Sequence, residues 1–87
     1  MKIYMKPIEL IAWFTKEGIP HPIKYKIQTE DNSQKVVKIL RLLARTEEKI
    51  AGNRMYIFKC EGNINGILKI FELKYELNTC KWYLYKI

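Results

Sequence analysis

The dipeptide Asn65-Gly66 constrains this chain more than any other feature, because it lies between two apolar-rich runs. A type I′ turn needs positive φ at both central residues, and Asn-Gly tolerates this best. A two-residue hairpin centred there sets Ile64 opposite Ile67. The same register gives further pairs on one apolar face: Cys60 with Phe71, Phe58 with Leu73, and Tyr56 with Tyr75. The intervening pair Lys59–Glu72 is polar, so the pattern predicts a half-buried sheet.

A second two-residue turn is predicted at Asn78-Thr79. It gives a second set of cross-strand pairs: Glu76 with Lys81, Tyr75 with Trp82, Lys74 with Tyr83, and Leu73 with Leu84. The strand shared by the two hairpins keeps the same inward residues in both registers, namely Phe71, Leu73 and Tyr75. Two independent turns therefore predict one three-stranded C-terminal meander with a single apolar face.

The N-terminal half also favours strands. The run 23–28 alternates apolar and polar residues, which is the period of a strand. The run Ile8 to Thr15 is either a strand or a helix that begins at Pro7 and ends before Gly18. We favour the strand, because Trp13-Phe14-Thr15 suits a sheet, and the nearby prolines, Pro20 and Pro22, suit a hairpin loop.

Residues 34–51 fit two structures. Basic residues recur at helical spacing, at Lys35, Lys38, Arg41 and Arg45, with apolar residues between them. A helix would gather all four on one basic stripe. The alternative is a strand from Lys35 to about Leu43, paired with the 23–28 strand and followed by a loop or short helical turn. On a strand, Lys38 faces away from the other three and the stripe dissolves.

Two strings, Ala51-Gly52-Asn53-Arg54-Met55 and the run from Tyr75 to Lys86, resemble a group of small uncharacterised bacterial proteins that are β-rich. The resemblance extends over the whole chain and implies a β fold, but no function and no site residue. We therefore predict one domain, residues 1–87, that is mostly β: a small antiparallel sheet or an SH3-like half-open barrel of about six strands, with a loop at 44–53. The alternative is an α+β fold with one helix at 34–51.

The nucleophile and metal-ligand candidates do not form a catalytic pattern. His21 is the only histidine, and we expect it in an exposed loop between two prolines. Cys60 and Cys80 lack Cys-x-x-Cys spacing, so they do not indicate a zinc site. The predicted register separates them by about 20 Å, beyond the roughly 7 Å limit for a disulfide. We predict two free thiols, with Cys60 buried.

The carboxylates and glycines also lack a catalytic arrangement. Glu72 and Glu76 face Lys59 and Lys81, and the glycines are dispersed, so no phosphate-binding loop is indicated. We predict that the protein is not an enzyme and uses no cofactor, metal or small-molecule substrate. No apolar run is long enough to cross a membrane and no signal-peptide core is evident, so we expect a cytoplasmic protein without a membrane partner.

The net charge of +7 admits a nucleic-acid partner, although the basic residues are spread along the chain and are mostly Lys, which a codon bias would also explain. The candidate interface is the outward face of the C-terminal sheet, where Lys and Tyr alternate as in single-strand binders. Its residues are Lys59, Lys74, Lys81, Tyr83 and Tyr85. The leading hypothesis is a non-enzymatic module that binds nucleic acid or a nucleoprotein. The alternative is a protein-interaction or structural module, such as a homodimer paired through an open sheet edge.

Overall fold

Six antiparallel strands form a closed barrel in the computed structural model, which describes all 87 residues. The strands are β1 (Ile3–Phe14), β2 (Pro20–Gln28), β3 (Gln34–Ile50), β4 (Asn53–Ile64), β5 (Ile67–Glu76) and β6 (Lys81–Lys86). Each strand pairs with the next, and β6 returns to pair with β1. The prediction of a small antiparallel β fold with about six strands is confirmed, and the barrel is closed rather than half-open. No helix of the length and apolarity needed to span a membrane is present.

Two long strands, β1 and β3, each take part in two sheets. The first half of β1 pairs with β6 and its second half with β2. Likewise, Gln34–Lys38 of β3 pairs with β2, whereas residues 39–50 pair with β4. Bulges interrupt both strands, and bulges bend a strand and increase its twist. The bulge in the part of β1 that pairs with β6 includes Met5, which has a φ of 48°. These bends let one chain close the barrel.

The α+β alternative is wrong, because β3 runs as a strand through the whole segment proposed as a helix. The predicted loop at 44–53 is also wrong, since the strand continues to Ile50 and only Ala51-Gly52 turn the chain. The apparent helical spacing has a physical cause. The inward residues of β3 are Val37, Ile39 and Leu42, so a spacing of two is followed by a spacing of three at a bulge. One inserted residue shifts the alternation, so the inward residues no longer recur at the strict spacing of two by which a strand is recognised.

The predicted registers of the C-terminal meander are confirmed pair by pair. Asn65 and Gly66 have φ values of 54° and 78°, as a type I′ turn requires. The connection from β5 to β6 differs from the predicted two-residue turn. It is a four-residue loop, 77–80, in which the Cys80 N–H donates to the Glu76 carbonyl at 2.8 Å. Cys80 takes a φ of 60°, so one left-handed residue keeps the register that the shorter turn would have given.

The core is aromatic and lies mainly on the meander. Phe58, Phe71 and Leu73 are fully buried, and Trp82 packs against Phe58 with ring centroids 5.6 Å apart. From the other sheet, Tyr25 meets the Phe71 ring edge-on at 5.5 Å. Both cysteines are free thiols and Cys60 is in the core, as predicted, while Cys80 is exposed. The outer faces of the barrel are therefore the surfaces available for binding.

Candidate nucleic-acid interface

The five predicted interface residues lie on the outer face of β4, β5 and β6, but Lys74 is not a free cation there. Its side chain is only 9% exposed, and its Nζ lies 3.1 Å from Glu48 Oε2. The same ammonium lies 3.9 Å from the centroid of the Tyr85 ring. Glu48 belongs to the part of β3 that the sequence predicted as a loop, so this ion pair was not foreseen. Lys74 and Tyr85 are thus occupied with each other and with Glu48.

The remaining predicted residues stand among carboxylates. Lys59 is paired across strands with Glu72, and Lys81 with Glu76. Tyr83, opposite Lys74, is half-buried. Hydrogen bonds donated by Thr79 and Asn53 hold the pKa of the Glu76 carboxyl below its usual value, so it is ionised at neutral pH.

Two further ion pairs lie on the neighbouring strands of the same sheet. Arg54 is 2.8 Å from Glu47, and their hydrogen bond lowers the pKa of that carboxyl. Arg41 is 3.7 Å from Glu61. With so many lysines and arginines matched to carboxylates, this sheet offers a polyanion little net attraction.

The basic residues of β3 do not form a stripe. The strand alternative predicted Lys35, Arg41 and Arg45 on one face, and this is wrong because the bulges change the alternation. Arg41 is paired with Glu61 on the outer face. Arg45 is opposite the inward Phe58, and its guanidinium lies 5.4 Å from the Tyr56 ring centroid. Only Lys38 lies on the outer face of the other sheet.

That other sheet places two like charges side by side. Lys24 of β2 is directly opposite Lys38 of β3, and neither ammonium forms an ion pair. On the neighbouring strand β1, the residue opposite Lys24 is Ile11. Like charges placed directly opposite on neighbouring strands destabilise a sheet. The fold therefore keeps an electrostatic cost here that an anionic ligand would relieve.

The surroundings of this pair suit contact with a ligand. We call the outer surface of β1, β2 and the first part of β3 the basic face. Its residues are Glu9, Ile11, Trp13, His21, Lys24, Lys26, Val36 and Lys38. The only ion pair on it joins Lys26 to Glu9 at 3.5 Å. A shallow depression of about 350 Å³ lies between Ile11, Lys24, Lys26 and Val36. The surface is thus cationic and partly apolar.

Trp13 adds an aromatic surface to the basic face. It is 58% exposed, and its ring meets His21 edge-on with centroids 5.4 Å apart. His21 was predicted in an exposed loop; it is exposed but lies within β2. The sequence argument missed this face because it used Trp13 only as evidence for a strand. The alternation of Lys24-Tyr25-Lys26 was the available signal, since an inward Tyr25 sends both lysines outward.

Cys60 and Tyr25 are ionisable side chains whose pKa values are raised by burial in the core. Burial raises the pKa of the Cys60 thiol to about 12, and this thiol donates to the Phe58 carbonyl at 3.7 Å. Burial also raises the pKa of the Tyr25 phenol. A high thiol pKa makes a poor nucleophile at neutral pH. No group of His, Cys, Asp and Glu side chains has an arrangement that could hold a metal ion.

Comparison with protein-family models, with curated proteins and with solved structures finds no match to this chain. The functional argument therefore depends on the chemistry of the two outer faces. One face places a carboxylate beside each of its cations, in ion pairs or in cross-strand pairs, whereas the other holds an uncompensated lysine pair beside an exposed tryptophan.

Proposed function

We propose that this protein is a cytoplasmic, non-enzymatic module that binds single-stranded nucleic acid on its basic face. The observation that supports this most directly is the Lys24–Lys38 pair, which faces solvent without a carboxylate partner. Phosphates would supply the missing counter-charge. The two free thiols agree with a reducing compartment.

A single strand fits this face better than a duplex. Trp13 presents an exposed ring on the same face as the lysines, and a base can stack on such a ring only when it is not enclosed in a duplex. Stacking of this kind contributes about 1–3 kcal/mol per base and tolerates any sequence. Lys24, Lys26 and Lys38 would follow the phosphates, and the neighbouring apolar side chains would contact sugars and base edges.

The binding test is fluorescence anisotropy of a labelled single-stranded oligonucleotide across a salt series. Each phosphate contact contributes about 0.7 to the slope of log K against log salt for a single strand. The double variant Lys24→Gln/Lys38→Gln is expected to lower that slope by about 1.4. Trp13→Ala is expected to weaken binding about 5- to 150-fold while changing the slope little, because the ring carries no charge.

The matched control removes the same charge from the opposite side of the barrel. Lys59→Gln/Lys81→Gln alters two of the originally predicted interface residues, and it should leave both the affinity and the slope nearly unchanged. If this control weakens binding as much as Lys24→Gln/Lys38→Gln, the basic face is not the specific interface. If the unchanged protein does not bind the oligonucleotide at low salt, the proposed function is wrong.

A further inference from the structure

The second half of β3 is an open sheet edge. Residues 39–50 pair with β4 on one side, whereas β2 pairs only with Gln34–Lys38. None of the backbone hydrogen bonds outside the strand ladders involves residues 39–50. The barrel is closed by β1 and β6, yet this stretch leaves a row of backbone N–H and C=O groups without a protein partner. Such a row is a template for another strand.

The side chains along this edge alternate in charge. The stretch from Ala44 to Ile50 pairs with β4 without a bulge, so its alternation is regular. Arg45, Glu47 and Lys49 share one side of the strand, in the order positive, negative, positive. Thr46 lies between the first two on the other side. No proline interrupts the stretch, so its backbone is able to accept a neighbouring strand.

We propose that two copies of this chain form a two-fold dimer in which their β3 edges pair antiparallel about Thr46. The sheet of one barrel would then continue into the sheet of the other. This inference does not depend on the proposed nucleic-acid binding, since it concerns a different part of the molecule.

Symmetry and charge select this register. Residues opposite each other in an antiparallel pair point to the same face, so a two-fold axis through the sheet passes at a residue. With the axis at Thr46, Arg45 is opposite the partner subunit's Glu47, and symmetry forms this attractive pair twice. With the axis at Arg45, Glu47 or Glu48, that residue is opposite its own copy and like charges meet. An axis at Ala44 would place the bulge at Leu43 in the centre of the ladder.

The surroundings of the edge agree with a second copy as occupant. Glu47 already binds Arg54 at 2.8 Å, but both side chains are nearly half exposed, so the carboxylate remains accessible to a second cation. Ile50, at the end of this edge, is 63% exposed. Pairing would therefore satisfy the backbone groups of the edge and place a second guanidinium beside the Glu47 carboxylate.

Disulfide trapping tests the register. In the background Cys80→Ser, the variant Thr46→Cys would place two copies of position 46 directly opposite, with Cα atoms about 4.5–5.5 Å apart. That distance is within the range for a disulfide. We expect a covalent dimer after mild oxidation. Ile50→Cys is the matched control, because two copies of position 50 would be about 27 Å apart along the ladder and should not cross-link. Equal cross-linking of both variants would overturn the proposal.

Sedimentation velocity of the full chain, from micromolar to millimolar concentration, tests the charge pairs. Arg45→Glu and Glu47→Arg should each raise the dimer dissociation constant about tenfold or more, since each change turns two attractions into repulsions. The double variant Arg45→Glu/Glu47→Arg restores both pairs with reversed sense, so it should return the constant to near its original value. A monomeric wild-type chain over this whole range, or no rescue by the double variant, would refute the proposal.

Discussion

Gly62 lies in β4 at the point where β3 passes from one sheet to the other. It is opposite Ile39, next to a bulge in β3. A Cβ at this position would lie 2.6 Å from the carbonyl oxygen of Lys38 and 3.0 Å from Cε1 of Phe71. The backbone of Gly62 is not in the left-handed region, so alanine itself is compatible with the local φ. The cost of Gly62→Ala is therefore the cost of moving a backbone oxygen and a buried ring.

The magnitude follows from two opposing contributions. Overpacking in a well-packed core costs about 1–3 kcal/mol, and a backbone oxygen that cannot rotate away places this site near the upper value. Replacing glycine by alanine lowers the entropy of the unfolded chain and returns about 0.4–1 kcal/mol. We expect a net loss of about 2 kcal/mol in the free energy of unfolding. For a domain of this size that corresponds to a fall in Tm of about 8–16 °C.

Urea unfolding followed by tryptophan fluorescence measures this loss. Trp82 is only 8% exposed and so reports loss of the core, whereas Trp13 is already exposed to solvent. Lys69→Ala is the control, because Lys69 is directly opposite Gly62 on β5 and its side chain is exposed. It should change the free energy of unfolding by less than about 0.5 kcal/mol. A Gly62→Ala protein as stable as the control would refute the close approach of β3 to β4.

Four further predictions concern turns, titration and thiol reactivity. Ala51 has a φ of 52°, so Ala51→Asn should raise the free energy of unfolding by about 1 kcal/mol in a thermal melt; a lower Tm would contradict this. Hydrogen bonds from Ser33 and Thr29 lower the Asp31 pKa to about 2. The ionised carboxylate therefore stabilises the folded state above the unfolded pKa near 3.8, and this stabilisation is lost as pH falls towards 2. Asp31→Asn should therefore reduce the fall of Tm with decreasing pH. A variant whose Tm falls with acid as steeply as that of the wild-type chain would contradict this role of Asp31. The Cys60 pKa of about 12 exceeds its ordinary value of 9.0, so the unfolded thiol ionises first and stability falls as pH rises between these values. A disulfide reagent at neutral pH should label Cys80 in the native protein and Cys60 only after unfolding; labelling of both native thiols would contradict the buried position.

Local turn chemistry made the C-terminal meander predictable. The Asn65-Gly66 turn fixes its own φ signs, and each flanking pair then follows from the two-residue alternation. The position of β3 did not follow in this way. Its bulges at Leu40 and Leu43 serve the bend between two sheets, and that requirement comes from β2 and β4 rather than from the local residues. Two inserted residues were enough to remove the strict two-residue alternation that identifies a strand.

In the candidate interface, too, some features followed from local residues and others from strands that are distant in sequence. The outward direction of Lys74 followed correctly from the meander register, but its burial depends on Glu48, which reaches it from β3. Conversely, Lys24 and Lys38 become neighbours only through the β2–β3 register. Strand order decides which charges that are distant in sequence become neighbours. Composition and local spacing therefore predicted a basic protein but not where its unpaired charges lie.

The pairing of β1 with β6 has a kinetic consequence. Ile3 is paired with Lys86, and backbone hydrogen bonds join Lys2 to Ile87 in both directions, so the contact that closes the barrel spans nearly the whole chain. Closing so long a loop costs chain entropy before the contact contributes, which favours slow folding in the range of milliseconds to seconds. The first half of β1 cannot pair until β6 is present, whereas its second half and the β4–β5 hairpin pair with neighbouring strands. The adjacent ends also make the chain suited to circular permutation, in which joining residues 1 and 87 would convert the most distant contact into a local one.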